Sequence, residues 1–311
     1  MVKRRQNKKY LFLILLVTIS FFLSFSQTCL AQIQWNHVQI HPDINYLEEN
    51  KGQDNQNTAH LLDIYQPEDC QFCPVIIYIH GGTWVLGDKG GLSYKAKSFT
   101  SQGFIYISIN YRLSPDYRFP AHAQDVAHAF SWVKNNIQEY GGNPEQIYLM
   151  GHSAGGHLAA LITLDEQYLA TFNLKPSDID GIIGIDSAAY HLPSLFSAEP
   201  KNQYLFSWAF GDHPLDWEIA SPINYIKKGK TIPPFLLLVA DGREISKTVN
   251  QNFYQKLQKY GYNATIFHFP NKDHVSIDYD LGKENEPVFP IVIDWIQRVS
   301  KKRYSMLEEK D

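Results

Sequence analysis

Little in this 311-residue chain points to a field of one sign or to a metal. Its 28 lysines and arginines and 32 aspartates and glutamates are mixed along the sequence, for a net charge of −4. Such a balance offers no basic surface to a nucleic acid and no patch for an anionic membrane. Cysteine is scarce as well, with Cys29, Cys70 and Cys73 alone. Cys70 and Cys73 form a C-x-x-C, but no second such pair and no suitably spaced histidine pair completes a zinc site. The motif also precedes a strand rather than opening a helix, which argues against redox use. A disulfide staple or two idle thiols remain. Long apolar runs are missing too: Leu11–Phe25 is 15 residues, short of the roughly 20 that span a bilayer.

That run follows Lys3, Arg4, Arg5, Lys8 and Lys9 and precedes Ser26-Gln27-Thr28-Cys29-Leu30-Ala31. A basic start, a short apolar stretch and a small-residue end read as a signal peptide cut after Ala31. The expected mature domain is then 32–311, secreted or periplasmic, with no stable membrane span after cleavage. An uncleaved anchor is the alternative, and Gln27 and Thr28 argue against a lipidated Cys29.

What the chain does contain is 44% hydrophobic residues, enough for a sizeable core. Trp35–Glu49 and His60–Tyr65 alternate apolar and polar residues, as edge strands of a mixed sheet do. Pro74–His80 is almost continuously apolar, the pattern of a strand covered on both faces. Phe104–Asn110 reads as a strand, Ala121–Tyr140 as a helix, and Ile182–Ile185, Pro234–Val239 and Ala264–Phe269 as further strands. Lys247–Tyr260 and Glu286–Lys302 read as helices, the second followed by a charged, frayed tail.

The most informative stretch is Ile147–Ala160, IYLMGHSAGGHLAA: an apolar strand, a tight turn and a helix. Gly151-His152-Ser153-Ala154-Gly155 fits G-x-S-x-G, in which a strained turn lifts a serine above the end of a sheet. The helix behind it points its amide dipoles at the hydroxyl. A plain glycine-rich turn with an incidental serine is the blander reading. His80-Gly81-Gly82-Thr83-Trp84 ends the strand at 74–80, and a Gly-Gly turn there exposes main-chain N–H groups to the same crevice. The N–H groups of Gly82, Thr83 and Ala154 are the candidate oxyanion hole, and Trp84 is a candidate substrate contact.

Taken together, HGGTW, NYRLSP, FPAHAQDV and GHSAGGHLAA, in that order, resemble the esterase and lipase branch of the α/β-hydrolase superfamily, which includes hormone-sensitive-lipase-like, feruloyl-esterase-like and arylformamidase-like enzymes. The similarity covers about Trp35 to Lys302. It implies an α/β-hydrolase fold, with a mostly parallel sheet and helices on both faces. It implies Ser153 as nucleophile, His274, in NKDHVS after the last strand, as general base, and Arg112 and Asp125 as supports of the elbow. Thr83 departs from the branch's third glycine, although a main-chain donor survives that change.

The resemblance places the triad acid after strand 234–239, where Asp241 and Glu244 are the carboxylates. The branch's usual spacing counts to Arg243, which is no acid, so Glu244, one residue on, and Asp241 both stay open. The aromatic segment 187–231 falls where the superfamily inserts a cap or lid; its rings either line a groove or pack the insert down. His80, His152 and His157 flank the motifs and read as positional. The expected activity is hydrolysis of small carboxylic esters, short-chain or aromatic, by a serine carboxylesterase without metal or organic cofactor. The alternatives are an arylformamidase-type amide hydrolase and a non-catalytic binding module.

Overall fold

The structure, a computed structural model, describes residues 37–47, 58–91 and 94–308, with side chains to 302. The signal-peptide segment lies outside these residues. Eight strands form one sheet in the order β1-β2-β4-β3-β5-β6-β7-β8: β1 (Val38–Asn45), β2 (Leu61–Pro67), β3 (Cys73–Ile79), β4 (Ile105–Ile109), β5 (Gly142–His152), β6 (Gly181–Ile185), β7 (Phe235–Ala240) and β8 (Ala264–Phe269). β1 pairs antiparallel with β2, and β2 with β4; every other pairing is parallel. This is the α/β-hydrolase arrangement. β2 was expected at an edge but lies inside β1, which explains why its central residues are buried.

The helices are α1 (Lys95–Ser101), α2 (Ala121–Asn136), α3 (Ala154–Leu164), α4 (Gln167–Ala170), α5 (Leu192–Ala198), α6 (Gln203–Phe210), α7 (Pro214–Ile219), α8 (Glu244–Lys259), α9 (Ser276–Tyr279) and α10 (Val288–Glu308). β3 to β7 are buried because side chains that alternate across a strand meet helices on either face. On one face Phe99 of α1 stacks on Tyr106 of β4 and meets Phe289 of α10, with ring centroids 5.7 and 4.9 Å away. Phe130 of α2 and Leu158 of α3 belong to the cluster that includes Ile77 and Ile107.

α10 continues to Glu308, past the frayed tail expected after Lys302. The Glu286 carboxylate accepts the Val288 and Phe289 N–H groups at 3.0 and 2.9 Å, filling donors that a helix start leaves open. Cys70 and Cys73 are joined in a disulfide at the start of β3, whose first residue is Cys73. Among the described residues, no helix is long and apolar enough to cross a membrane.

Candidate active site

β5 ends in the elbow. Ser153 is held at φ 52°, ψ −115°, a region that a residue with a side chain occupies only under constraint. Two glycines make the constraint possible. A Cβ at Gly155 would stand 2.0 Å from the Ile79 carbonyl oxygen, and one at Gly151 would stand 2.4 Å from Gly155. The Ser153 N–H donates to the Ile185 carbonyl at 2.9 Å, and the Ser153 carbonyl accepts the His157 N–H at 3.1 Å. Strand and helix are thereby closed against each other, and the hydroxyl stands proud.

His274 lies in the loop after β8, with Nε2 3.1 Å from the Ser153 hydroxyl. Its own main-chain carbonyl accepts a bond from His152 Nε2 at 2.8 Å. Below, the loop is pinned by Asp278, which accepts the Tyr78 hydroxyl at 2.8 Å and the ammonium of the wholly buried Lys95 at 3.1 Å. Burial pushes the Asp278 carboxyl up, but Lys95, His152 and Tyr78 outweigh it and hold the group below the usual carboxylate range.

The carboxylate on the far side of His274 is Asp186. His274 Nδ1 donates to Asp186 Oδ2 at 2.6 Å. Asp186 Oδ1 accepts the Ser246 hydroxyl at 2.5 Å and the Ala240 N–H at 3.1 Å. Burial pushes this carboxyl up; the bonds from His274 and Ser246 overcome that and leave it below its ordinary value. Neither Glu244 nor Asp241 occupies the position that sequence spacing assigned to them. Glu244 is the first residue of α8, where the helix dipole favours a carboxylate that faces outward. Its side chain is 86% exposed and takes Lys247 at 3.1 Å. Asp241 is also paired with Lys247. α8 begins three residues before the expected Lys247, so Glu244 lies in its first turn facing outward, and the residue of the β7–α8 loop that reaches His274 is Arg243.

Asp186 directly follows β6, the strand beside the elbow strand. Its φ of 45° is one that aspartate tolerates better than most residues. A signal was present in the sequence: an aspartate at the carboxyl end of a buried strand lies on the rim where α/β sheets hold ligands.

Opposite the serine, Gly82, Thr83 and Trp84 all have positive φ, at 114°, 55° and 60°. The N–H groups of Gly82, Thr83 and Ala154 donate to no protein group among the described residues. Thr83, β-branched, is strained in a conformation that glycine adopts freely. The turn is held from behind. Tyr111 donates its hydroxyl to the His80 carbonyl at 3.0 Å and stacks on the His80 ring at 4.3 Å. Trp84, 2% exposed, borders the pocket while its indole N–H donates to His157 Nδ1 at 3.2 Å. His157 Nε2 in turn donates to the Ala220 carbonyl at 2.7 Å. Burial lowers the pKa of His157 to about 4 and lowers those of His80 and His152. These three histidines are spent on packing, as their places beside the motifs suggested. Arg112 and Asp125 form a bidentate pair after β4, with Asp125 also accepting the Arg112 N–H at 2.8 Å.

The serine and histidine open into a pocket of about 330 Å³, lined on its outer side by Leu195, Glu199, Asn202 and Phe206 of the 187–231 insert. Most of the insert's aromatics turn inward: Phe196 stacks on Phe206 at 4.4 Å, and Tyr190 stacks on Phe253 at 4.3 Å. Chemically, a hydroxyl, an imidazole and a buried carboxylate in line beside free N–H donors can deprotonate the hydroxyl and hold an oxyanion. Among the described residues no cluster of three or more histidine, cysteine or acidic side chains could hold a metal ion.

Comparison with known proteins agrees with this architecture. The BD-FAE family model matches residues 62–257. Esterase LipQ of Mycobacterium tuberculosis is 31% identical over 238 residues, 71% of this chain and 55% of the relative. Esterase LipC of the same organism is 32% identical over 193 residues, 58% of this chain and 47% of that protein. The chain thus spans about half the length of the curated relatives it matches. Among solved structures, esterase B of Lactobacillus rhamnosis superposes with a TM-score of 0.72 at 18% identity, covering 94% of this chain and 97% of that one.

Proposed function

Because the chain belongs to the BD-FAE family, in the esterase and lipase group of α/β-hydrolases, we propose that it is a serine carboxylesterase acting on small carboxylic esters. The observation that carries this reading is the unbroken line from Ser153 through His274 to Asp186, together with main-chain N–H groups of Gly82, Thr83 and Ala154 that donate to no protein group among the described residues. Ser153 Oγ attacks the acyl carbon while His274 Nε2 takes its proton. Asp186 holds Nδ1 protonated, so the lone pair is on Nε2, and it stabilises the imidazolium that forms. The carbonyl oxygen, now an oxyanion, is held by the N–H groups of Gly82, Thr83 and Ala154. As the tetrahedral intermediate collapses, the alcohol leaves with the proton from Nε2. Water, deprotonated by the same nitrogen, then attacks the acyl-enzyme, and the proton passes from Nε2 to Ser153 Oγ as the acid leaves.

The pocket suits an ester of modest size, since about 330 Å³ is at the lower end for small-molecule sites. Export is part of the reading and rests on the pattern of the first 31 residues. Turnover of p-nitrophenyl acetate and butyrate by the protein from Gln32, beside Ser153→Ala, tests it. Activity in the first and none above background in the second supports an esterase. A folded protein inert on both esters but active on N-formylkynurenine would replace it with an amide hydrolase; inertness on all three would leave a binding module.

A further inference from the structure

Arg243 stands where the branch's spacing would have put the acid, and it lines the pocket beside His274. Its Nη1 lies 3.0 Å from His274 Nδ1 and 3.3 Å from Nε2. A nitrogen in the ring plane at those two distances would collide with Cε1, which sits between them. The guanidinium therefore lies over the face of the imidazole. Nη1 is also 4.0 Å from Asp186 Oδ2. Its other terminal nitrogen, Nη2, donates to Glu199 Oε1 at 2.5 Å, and Glu199 Oε2 accepts the Asn202 amide at 2.9 Å. Glu199 directly follows α5, in the insert.

A cation at this place opposes the chemistry in two ways. It disfavours the imidazolium that Asp186 exists to stabilise. It is also one short movement from Asp186, which a guanidinium binds more firmly than an imidazole does. Three groups face His274 besides Ser153: Asp186 from the end of β6, Arg243 from the β7–α8 loop and the His152 ring from the elbow, 4.6 Å away. Lys95 and Asp278 stand behind His152 and neutralise each other, and Asp273 on the histidine's own loop bonds back to the Val275 and Ser276 N–H groups. Arg243 is thus the cation on this face of His274, and Glu199 is the group that holds it.

We propose that Glu199 is a positioning residue for the base: by binding Arg243 it holds that cation off Asp186 and offsets its charge over His274, so that the insert's seating sets the basicity of the histidine. The catalytic meaning rests on the esterase reading; the electrostatic coupling does not.

The test follows the His274 ring Cε1–H signal by NMR against pH, assigned with His274→Gln, in the protein and in Glu199→Gln, Arg243→Gln and the double variant. kcat/KM for p-nitrophenyl acetate is recorded over the same pH range. Glu199→Gln is expected to lower the His274 midpoint by about one pH unit and the kcat/KM plateau about tenfold. Arg243→Gln is expected not to lower the midpoint, and adding Glu199→Gln to it should change nothing further. Should Glu199→Gln fail to fold, Glu199→Asp, which draws the charge back by a methylene, serves the same comparison. A His274 midpoint that ignores Glu199, or that moves equally with and without Arg243, overturns the proposal. If the protein hydrolyses no ester, the ring titration still decides the coupling, while the esterase reading alone fails.

Discussion

The residue with the sharpest consequence is Asp186. It is wholly buried, and its two oxygens accept three donors, one of them His274 Nδ1 at 2.6 Å. On the proposed mechanism Asp186→Asn presents an amide where the imidazole needs an acceptor and favours the wrong tautomer. kcat on p-nitrophenyl acetate should fall by about 10³ to 10⁴. Glu244→Ala and Asp241→Ala should stay within about twofold of wild type, since both side chains are exposed and paired to Lys247. A collapse in either of those variants with Asp186→Asn active would reverse the assignment. Asp186 was within reach of sequence reasoning, because it ends an apolar strand next to the elbow in chain order. It was missed because the branch's spacing directs attention one strand further on, where Arg243 now stands.

At the scale of elements, the elbow depends on how near α3 comes to the ends of β3 and β5. Gly155 packs so closely that an added Cβ would meet the Ile79 carbonyl carbon at 2.6 Å as well as its oxygen at 2.0 Å. Backbone cannot yield as a flexible side chain does. Gly155→Ala is therefore expected to lose more than about 3 kcal/mol in urea unfolding, or to be recovered only as aggregate. A variant within about 1 kcal/mol of wild type would show that the helix can slide outward. Elements were the most legible level. The apolar runs at 74–80, 104–110 and 264–269 each became a strand within two residues of its expected bounds. The boundary that bore on the site was that of α8, which starts at Glu244 instead of Lys247. A helix start shifts by a turn at little cost, yet that turn turned a candidate acid away from the site.

For the whole molecule, the buried histidines set the response to acid. Burial holds His122 and His157 neutral, with pKa lowered to about 4 in each. An unfolded chain takes up their protons near pH 6.5. Between those values the unfolded state binds more protons, so stability is fully present above about pH 6.5 and is lost as pH falls toward 4. Asp125, Asp186 and Asp278, all with lowered pKa, keep their contribution above about pH 4 and lose it as pH falls through their folded values. The urea midpoint should therefore be lower at pH 4.5 than at pH 7 and fall further at pH 3. An unchanged midpoint between pH 7 and 4.5 would mean that these histidines are wet or already charged in the fold.

By itself the sequence determined the alternation of strands and helices, the nucleophile's turn and the order of serine before histidine. Those features are local: a glycine-bounded turn, an apolar run and a helix start are written in contiguous residues. Which carboxylate meets His274 was decided by tertiary structure alone, because the answer depends on where three strand ends converge. So was the placing of Glu199 against Arg243. These two residues stand 44 positions apart in the chain and meet only when the insert folds back over the sheet.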